Sequence, residues 1–236
     1  MGAAVTEAAD GRGAAARTAL TPPAAVRYLL ERGLVHPRSI VGGELVATDA
    51  ARRNRNVKVV SGDGESFLLK QGIGAGGIAT VAHEAAVYGL LLHEPRGAVA
   101  RRYLPRCFGY DAERGVLVLE LFREAHDLRQ YHVRRGRFPK HMAAALGRAL
   151  ADLHRIDPKG DAGDDATLRM RRPPPWALTL HRPRLEHLSE MSGANLNLVR
   201  IVQHAGQLCD ALDELRRDWQ TGTLIHGDVK WENCLI

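Results

Sequence analysis

The chain has 236 residues, 45% hydrophobic and 25% charged, with a formal net charge of +6. That length supports one large domain or two lobes around a sizeable core, and the balance excludes fibrous and wholly disordered classes. No apolar run approaches membrane-spanning length, so neither a transmembrane helix nor a membrane partner is expected.

The positive balance favours anionic partners such as nucleotide phosphates. Aromatics make up only 5% and no block interleaves them with basic residues, so nucleic acid is not an expected partner. Cys107, Cys209 and Cys234 stand far apart and form no C-x-x-C pair. A reducing, cytoplasmic compartment is expected, with no zinc site. The opening stretch, MGAAVTEAADGRGAAARTAL, scatters charges where a secretory signal would carry an apolar core. Met1, Gly2 and Thr6 fit the short myristoylation pattern, but the Ala/Gly/Arg-rich composition of residues 1–19 reads as a disordered arm.

A first helix is predicted with Thr21 as N-cap, Pro22 and Pro23 in its first turn, and Val26, Leu29, Leu30 and Leu34 along its apolar face. The period then changes. Ile40 to Ala47, Val57 to Val60 and Phe67 to Lys70 read as strands, the last two joined through Ser61-Gly62-Asp63-Gly64. Thr80 to His93 is predicted helical, capped by Thr80, with Val81, Ala85, Tyr88 and Leu92 on one face. Arg106 to Tyr110 and Val116 to Leu121 form another hairpin. Five strands with one helix inserted after the third make a small antiparallel lobe.

Residues 123–133 suggest a short helix, and Pro139 to Ile156 a longer one with Met142, Leu146, Leu150 and Leu153 at helical spacing. Residues 157–195 differ in composition. Asp161, Asp164 and Asp165 precede Arg169, Arg171 and Arg172, then Pro173-Pro174-Pro175-Trp176, giving a long loop with a short helix near Arg184 to Met191. Leu196 to Trp219 is the last predicted helix, with Val202, Leu208, Leu212, Leu215 and Trp219 inward.

The chemistry concentrates in the final stretch, HGDVKWENCLI. Asp228 and Asn233 stand five apart, flanked by apolar Leu224, Ile225, Leu235 and Ile236. An aspartate can take the proton of an attacking hydroxyl, and an asparagine oxygen can hold a hard cation such as Mg²⁺; phosphoryl transfer needs both. The bland alternative is a surface turn that happens to hold Asp and Asn, which the apolar flanks argue against. The spacing H-x-D-x-x-x-x-N is that of a protein-kinase catalytic loop. With Gly227 in second place it more closely resembles the aminoglycoside phosphotransferase and choline-kinase-like families. Upstream, Lys70 closes the strand FLLK and Glu84 lies on the following helix. A lone lysine or helix glutamate is ordinarily solvated, but here they occur in kinase order: lysine, glutamate, hinge strand, catalytic loop. The resemblance runs from about Tyr28 to Ile236.

This resemblance implies an α+β, protein-kinase-like two-lobed fold. Residues 20–122 would form the nucleotide-binding lobe, with its five-stranded antiparallel sheet and one helix; 123–236 would form part of a mainly helical larger lobe. It implies an ATP- and Mg²⁺-dependent transfer to a hydroxyl of a small molecule. In that scheme Asp228 resembles the general base, Asn233 a metal ligand, Lys70 the phosphate-binding lysine and Glu84 its partner. Glu120, Leu121 and Phe122 resemble the hinge whose backbone meets the adenine, and Lys230 sits near the transferred phosphate. His226 is expected to brace the loop, and Trp231 and Cys234 to pack. Kinase-like folds carry a second metal-binding aspartate after this loop, and the sequence closes on it. A fragment of an active phosphotransferase is therefore expected, with a non-catalytic nucleotide-binding or scaffold protein as the alternative.

Two further features compete for the phosphates. Gly72-Ile73-Gly74-Ala75-Gly76-Gly77 satisfies G-x-G-x-x-G between a strand and a helix, the context of a dinucleotide-binding turn. A flexible connector explains the glycines more simply, because no acidic residue ends the next strand. Arg52, Arg53 and Arg55 lie between the first two strands, where they would meet phosphates or simply form a solvated basic turn. The acceptor is left open among choline, homoserine, sugars and antibiotics. The chain's basic balance does not suit a polycation, and the acidic cluster at 161–165 is its one counterweight.

Overall fold

A computed structural model of the chain describes residues 18–50, 54–62, 64–157, 174–188 and 191–236. The arm up to residue 17, Arg52, Arg53, Asp63 and the acidic and basic runs between 158 and 173 lie outside these residues. The chain forms two compact units. One takes the chain up to Leu153 together with His226–Ile236, and the other is His154–Ile225.

The first unit is built on five antiparallel strands: β1 (Leu45–Asp49), β2 (Arg55–Ser61), β3 (Phe67–Gln71), β4 (Cys107–Asp111) and β5 (Val116–Glu120). Their order in the sheet is β1-β2-β3-β5-β4. This all-antiparallel pairing excludes the dinucleotide-binding alternative, which requires parallel strands around a crossover helix. Alternation splits each strand between two faces. On one face Val57, Val59, Phe67, Leu69, Val116 and Val118 are buried beneath α1 (Pro22–Glu31), whose Ala25, Tyr28 and Leu29 close over them. Thr21 caps α1 as predicted, accepting from the Ala24 N–H at 3.4 Å. On the other face Leu117 and Leu119 pack with Val81, Ala85 and Tyr88 of α3 (Gly74–His93). Each fully buried apolar side chain contributes about 1.5–3 kcal/mol, so these two faces hold the sheet.

Gln71 is a buried polar residue on the first face. Its Oε1 accepts from the Leu20 N–H at 2.8 Å, and its Nε2 donates to the carbonyls of Thr18 and Arg114, both at 3.1 Å. A buried amide is tolerated there because its bonds are satisfied. They clamp the segment before α1 to the β4–β5 turn.

Several expectations are corrected. Ile40 and Val41 belong to a short helix, α2 (Pro37–Val41), and the first strand starts only at Leu45. α3 starts at Gly74, not Thr80, whose hydroxyl donates to the Gly76 carbonyl from inside the helix at 2.8 Å. The glycines are therefore not a connector: Gly74, Gly76 and Gly77 are helical, and Gly72 passes close against Gly77. A Cβ on Gly72 would lie 2.3 Å from the Gly77 carbonyl carbon, so only glycine permits this turn from β3 into α3. α3 also contradicts the expected lack of a long apolar run. It has 20 residues with a best-window mean hydropathy of 1.3, enough by length and composition alone to cross a membrane. Leu90, Leu91 and Leu92, with Ile78, Val81, Val87 and the alanines, produce that value.

After β5 come α4 (Leu128–Arg135) and α5 (Lys140–His154). Asp127 caps α4, accepting from the Gln130 N–H at 2.7 Å, and Gly136 ends it at φ +57°. Asp152 on α5 accepts from Arg102 at 2.7 Å and from the Tyr103 hydroxyl at 2.8 Å, tying α5 to the connector before β4.

The second unit contains α6 (Gly193–His204) and α7 (Gly206–Asp218). The single helix predicted over Leu196 to Trp219 breaks at Ala205, whose ψ of 77° is not helical. The break turns the second half out of register with the first. Val199 and Val202 are buried, but Leu208, Leu215 and Trp219, expected inward, are exposed. His181 is buried against Asp213 at 3.1 Å, and its carbonyl accepts from Gln203 at 2.9 Å.

Candidate active site

The HGDVKWENCLI stretch folds back on itself. Gly227 takes φ +74°, a left-handed conformation that explains glycine in that place. His226 braces the turn, its Nδ1 accepting from the Asp228 N–H at 3.3 Å. Asn233 then closes the loop: its Nδ2 donates to the Asp228 carbonyl at 2.8 Å and to Asp228 Oδ2 at 2.9 Å. Lys230 Nζ reaches the same Oδ2 at 2.9 Å. The Lys230 ammonium first, then the Asn233 amide, hold the Asp228 carboxyl below the usual carboxylate range. Asp228 remains 64% exposed, a carboxylate presented to solvent and not packed away.

The exit of the loop is fixed by main chain. His126 and Ile236 exchange N–H···O bonds of 3.1 and 2.9 Å, and the Leu128 N–H donates to the Cys234 carbonyl at 2.9 Å. The partner segment, 126–128, follows β5 and runs into the first residue of α4. A backbone ladder thus joins the loop carrying Asp228 to the chain leaving the sheet. No side-chain pattern announced it, because ladder bonds carry no sequence signature.

Lys70 and Glu84 are brought together. Lys70 lies on the α3 side of β3, opposite Leu117 of β5 and Asn56 of β2. Its Nζ meets Glu84 Oε1 at 2.6 Å, with the two side chains 24% and 32% exposed. Such a partly exposed pair contributes at most about 1 kcal/mol to stability, so its consequence is placement: the ammonium has three donors, and the glutamate engages one. Tyr88 follows one turn after Glu84. Burial first, and then the Glu84 carboxylate, push its phenol pKa up.

At the end of β5 the Glu120 N–H donates to the Arg106 carbonyl and the Leu121 N–H to the Ser66 carbonyl, each at 2.8 Å. The Glu120 carboxylate is taken up by Arg106, accepting from its backbone N–H at 3.0 Å and its guanidinium at 3.4 Å. Any ligand contact at Glu120 therefore falls to its backbone. An open groove of about 840 Å³ lies here, lined among others by Ser66, Arg106, Leu121, Phe122 and Ile236. Neither Lys70 nor Asp228 lines it.

The expected residues thus form three sets in one compact unit: Lys70 with Glu84, Asp228 with Lys230 and Asn233, and Glu120 with Phe122 beside Ile236. No hydrogen bond or ion pair joins the first set to the second among the described residues. Sequence reasoning missed the surroundings of Trp231. Expected to pack, it is half-exposed in an aromatic group with His132 and Phe138.

For the implied magnesium, the donor chemistry fits in part. With Nδ2 committed to Asp228, the Asn233 Oδ1 is the amide's remaining oxygen, a hard donor of the type magnesium takes. No group of three or more His, Cys, Asp or Glu side chains fit for a metal occurs among the described residues. One or two protein oxygens plus substrate phosphates are the usual magnesium set, and that is what these residues offer.

A five-stranded antiparallel sheet, a lysine–glutamate pair on β3 and α3, and an H-G-D-x-x-x-x-N loop define a phosphotransferase of the kinase-like type. Residues 46–236 match the model of the phosphotransferase enzyme family, APH. The chain belongs to that family. A comparison with curated proteins gave no significant match.

Proposed function

We propose that the chain transfers the γ-phosphoryl group of ATP to a hydroxyl of a small molecule, with Asp228 receiving the hydroxyl proton. The observation that carries this reading is the pair of hydrogen bonds that Asn233 Nδ2 donates to Asp228, supported by the Lys70–Glu84 pair. The acceptor oxygen attacks the γ-phosphorus as the bond to the β,γ-bridging oxygen breaks; ADP leaves, and the proton passes to Asp228. Because its pKa is lowered, Asp228 is ionised at neutral pH and orients the hydroxyl, taking the proton late in a loose transition state. Lys70, held by Glu84, binds the phosphates. Lys230 leaves Asp228 for the transferring group as it arrives. Asn233 Oδ1 would hold the magnesium, which would supply positive charge to the phosphates. The backbone of Glu120 and Phe122 meets the adenine along the groove that ends at Ile236.

We further infer a cytoplasmic protein acting without nucleic acid or membrane, a reading supported by its three free cysteines and sparse aromatics. The test is an ADP-release assay over choline, homoserine, sugar and aminoglycoside acceptors, with phosphorus NMR of the product. A phosphate monoester formed with ATP supports the reading. No phosphate ester from any hydroxyl acceptor would count against it.

A further inference from the structure

Beside the catalytic loop the surface carries an aromatic shelf. His132 of α4 stacks on Phe138, ring centroids 4.2 Å apart and planes at 28°. Trp231 meets His132 edge-on at 5.2 Å and stands 5.9 Å from Phe138. His132 Nδ1 lies 2.7 Å from the Arg137 carbonyl, which only accepts, so Nδ1 carries the proton and the ring is held in place. Although these rings pack on one another, Phe138 is 68% and Trp231 50% exposed, with Val133 on the same helix at 76%. Large apolar side chains left together in water mark a binding surface more often than an accident.

The rim of the shelf is cationic. α4 and its exit carry Arg129, Arg134, Arg135 and Arg137. Arg129 approaches Glu232 only at 3.9 Å, and Arg134 turns to the ring of His126 at 2.8 Å. Among the described residues neither Arg135 nor Arg137 pairs with a carboxylate. Trp231 also stands three residues after Asp228, inside the loop that Asn233 closes, so the shelf is part of the structure that carries the base.

We propose that this shelf receives the acceptor, and that the acceptor is a planar, anionic molecule bearing the reacting hydroxyl. The inference rests on the phosphotransferase reading and names its substrate class. Exposed rings favour a flat partner, stacked in offset or met edge-on. Guanidinium groups favour a carboxylate or phosphate, which they bind with two parallel bonds. A polycation would meet the same arginines and be repelled.

The test uses three matched probes, titrated calorimetrically into the full chain with ADP and Mg²⁺ present. They are para-hydroxymethylbenzoate, the planar cation para-aminomethylbenzyl alcohol, and the non-planar anion trans-hydroxymethylcyclohexanecarboxylate. The benzoate is expected to bind at least about tenfold tighter than either control. Phe138→Ala and Arg135→Gln, both at exposed positions, should each weaken it by about fivefold. Equal or tighter binding of either control, or an unchanged benzoate affinity in Phe138→Ala, overturns the proposal. ADP titrated alone separates the two failures. ADP binding without discrimination among the probes removes the shelf only, whereas absence of ADP binding removes the phosphotransferase reading beneath it.

Discussion

Asn233 holds Asp228 at two points, the carbonyl at 2.8 Å and the carboxylate Oδ2 at 2.9 Å, and so turns a solvent-exposed aspartate into an oriented one. The same amide leaves its oxygen for a cation. Removing it should therefore disturb orientation and metal together. Asn233→Ala is expected to raise the magnesium concentration at half-maximal rate by about tenfold, within the range for lost ligand and supporting contacts. A magnesium titration of initial rates checks this.

The pH dependence follows from the Lys230 contact. A lowered carboxyl pKa means that the base form is present above that value and is lost only as pH falls through it. Between about pH 5 and 8 kcat/KM, which reports the free protein before Lys230 moves, should therefore show no acid limb from Asp228. Lys230→Met removes the largest cause of the lowering, so the limb should move up toward the ordinary aspartate value. A pH–rate profile of both proteins, or a carboxyl NMR titration of Asp228, reads the shift.

Lys70 and Glu84 predict a different signature. Glu84→Gln keeps the side chain's shape but loosens the lysine, so nucleotide KM should rise or kcat fall by about tenfold or more, while stability changes by under about 1 kcal/mol. Steady-state kinetics with a thermal melt separates the two effects. A large loss of stability would show that the pair holds the fold.

Gln71 supplies the converse case, a polar residue on the face of β3 opposite Lys70 whose loss should unfold and not inactivate. Gln71→Leu leaves the buried Leu20 N–H without its acceptor, at about 1–3 kcal/mol for a buried group left unsatisfied, and frees the Thr18 and Arg114 carbonyls. A fall in Tm of at least about 2–4 °C is expected in a calorimetric melt.

The site was legible in the sequence where its geometry is local. Asp228 and Asn233 meet because five residues and one left-handed glycine bring them together, and that spacing is written in the chain. Lys70 and Glu84 could be read as a pair only because strand and helix periodicity placed each on its element. Other features depended on packing. Composition points to a helix start at Thr80, because glycine is a poor helix former and threonine a common cap; the close passage of Gly72 against Gly77 overrides both. The break at Ala205 carries no breaking residue beyond the glycine that follows. The shelf unites residues 132, 138 and 231, whose approach depends on the ladder between 126–128 and the loop exit, and no periodicity foretells such a contact.

The proposed role of Asp228 in phosphoryl transfer from ATP is tested most directly by the rate of ADP-coupled phosphate ester formation in the wild-type chain and in Asp228→Asn. The substituted amide retains the side chain's size and cannot accept the proton. A loss of about 10²–10⁴ in kcat with an unchanged thermal midpoint is expected. Full turnover in Asp228→Asn would contradict the proposed role.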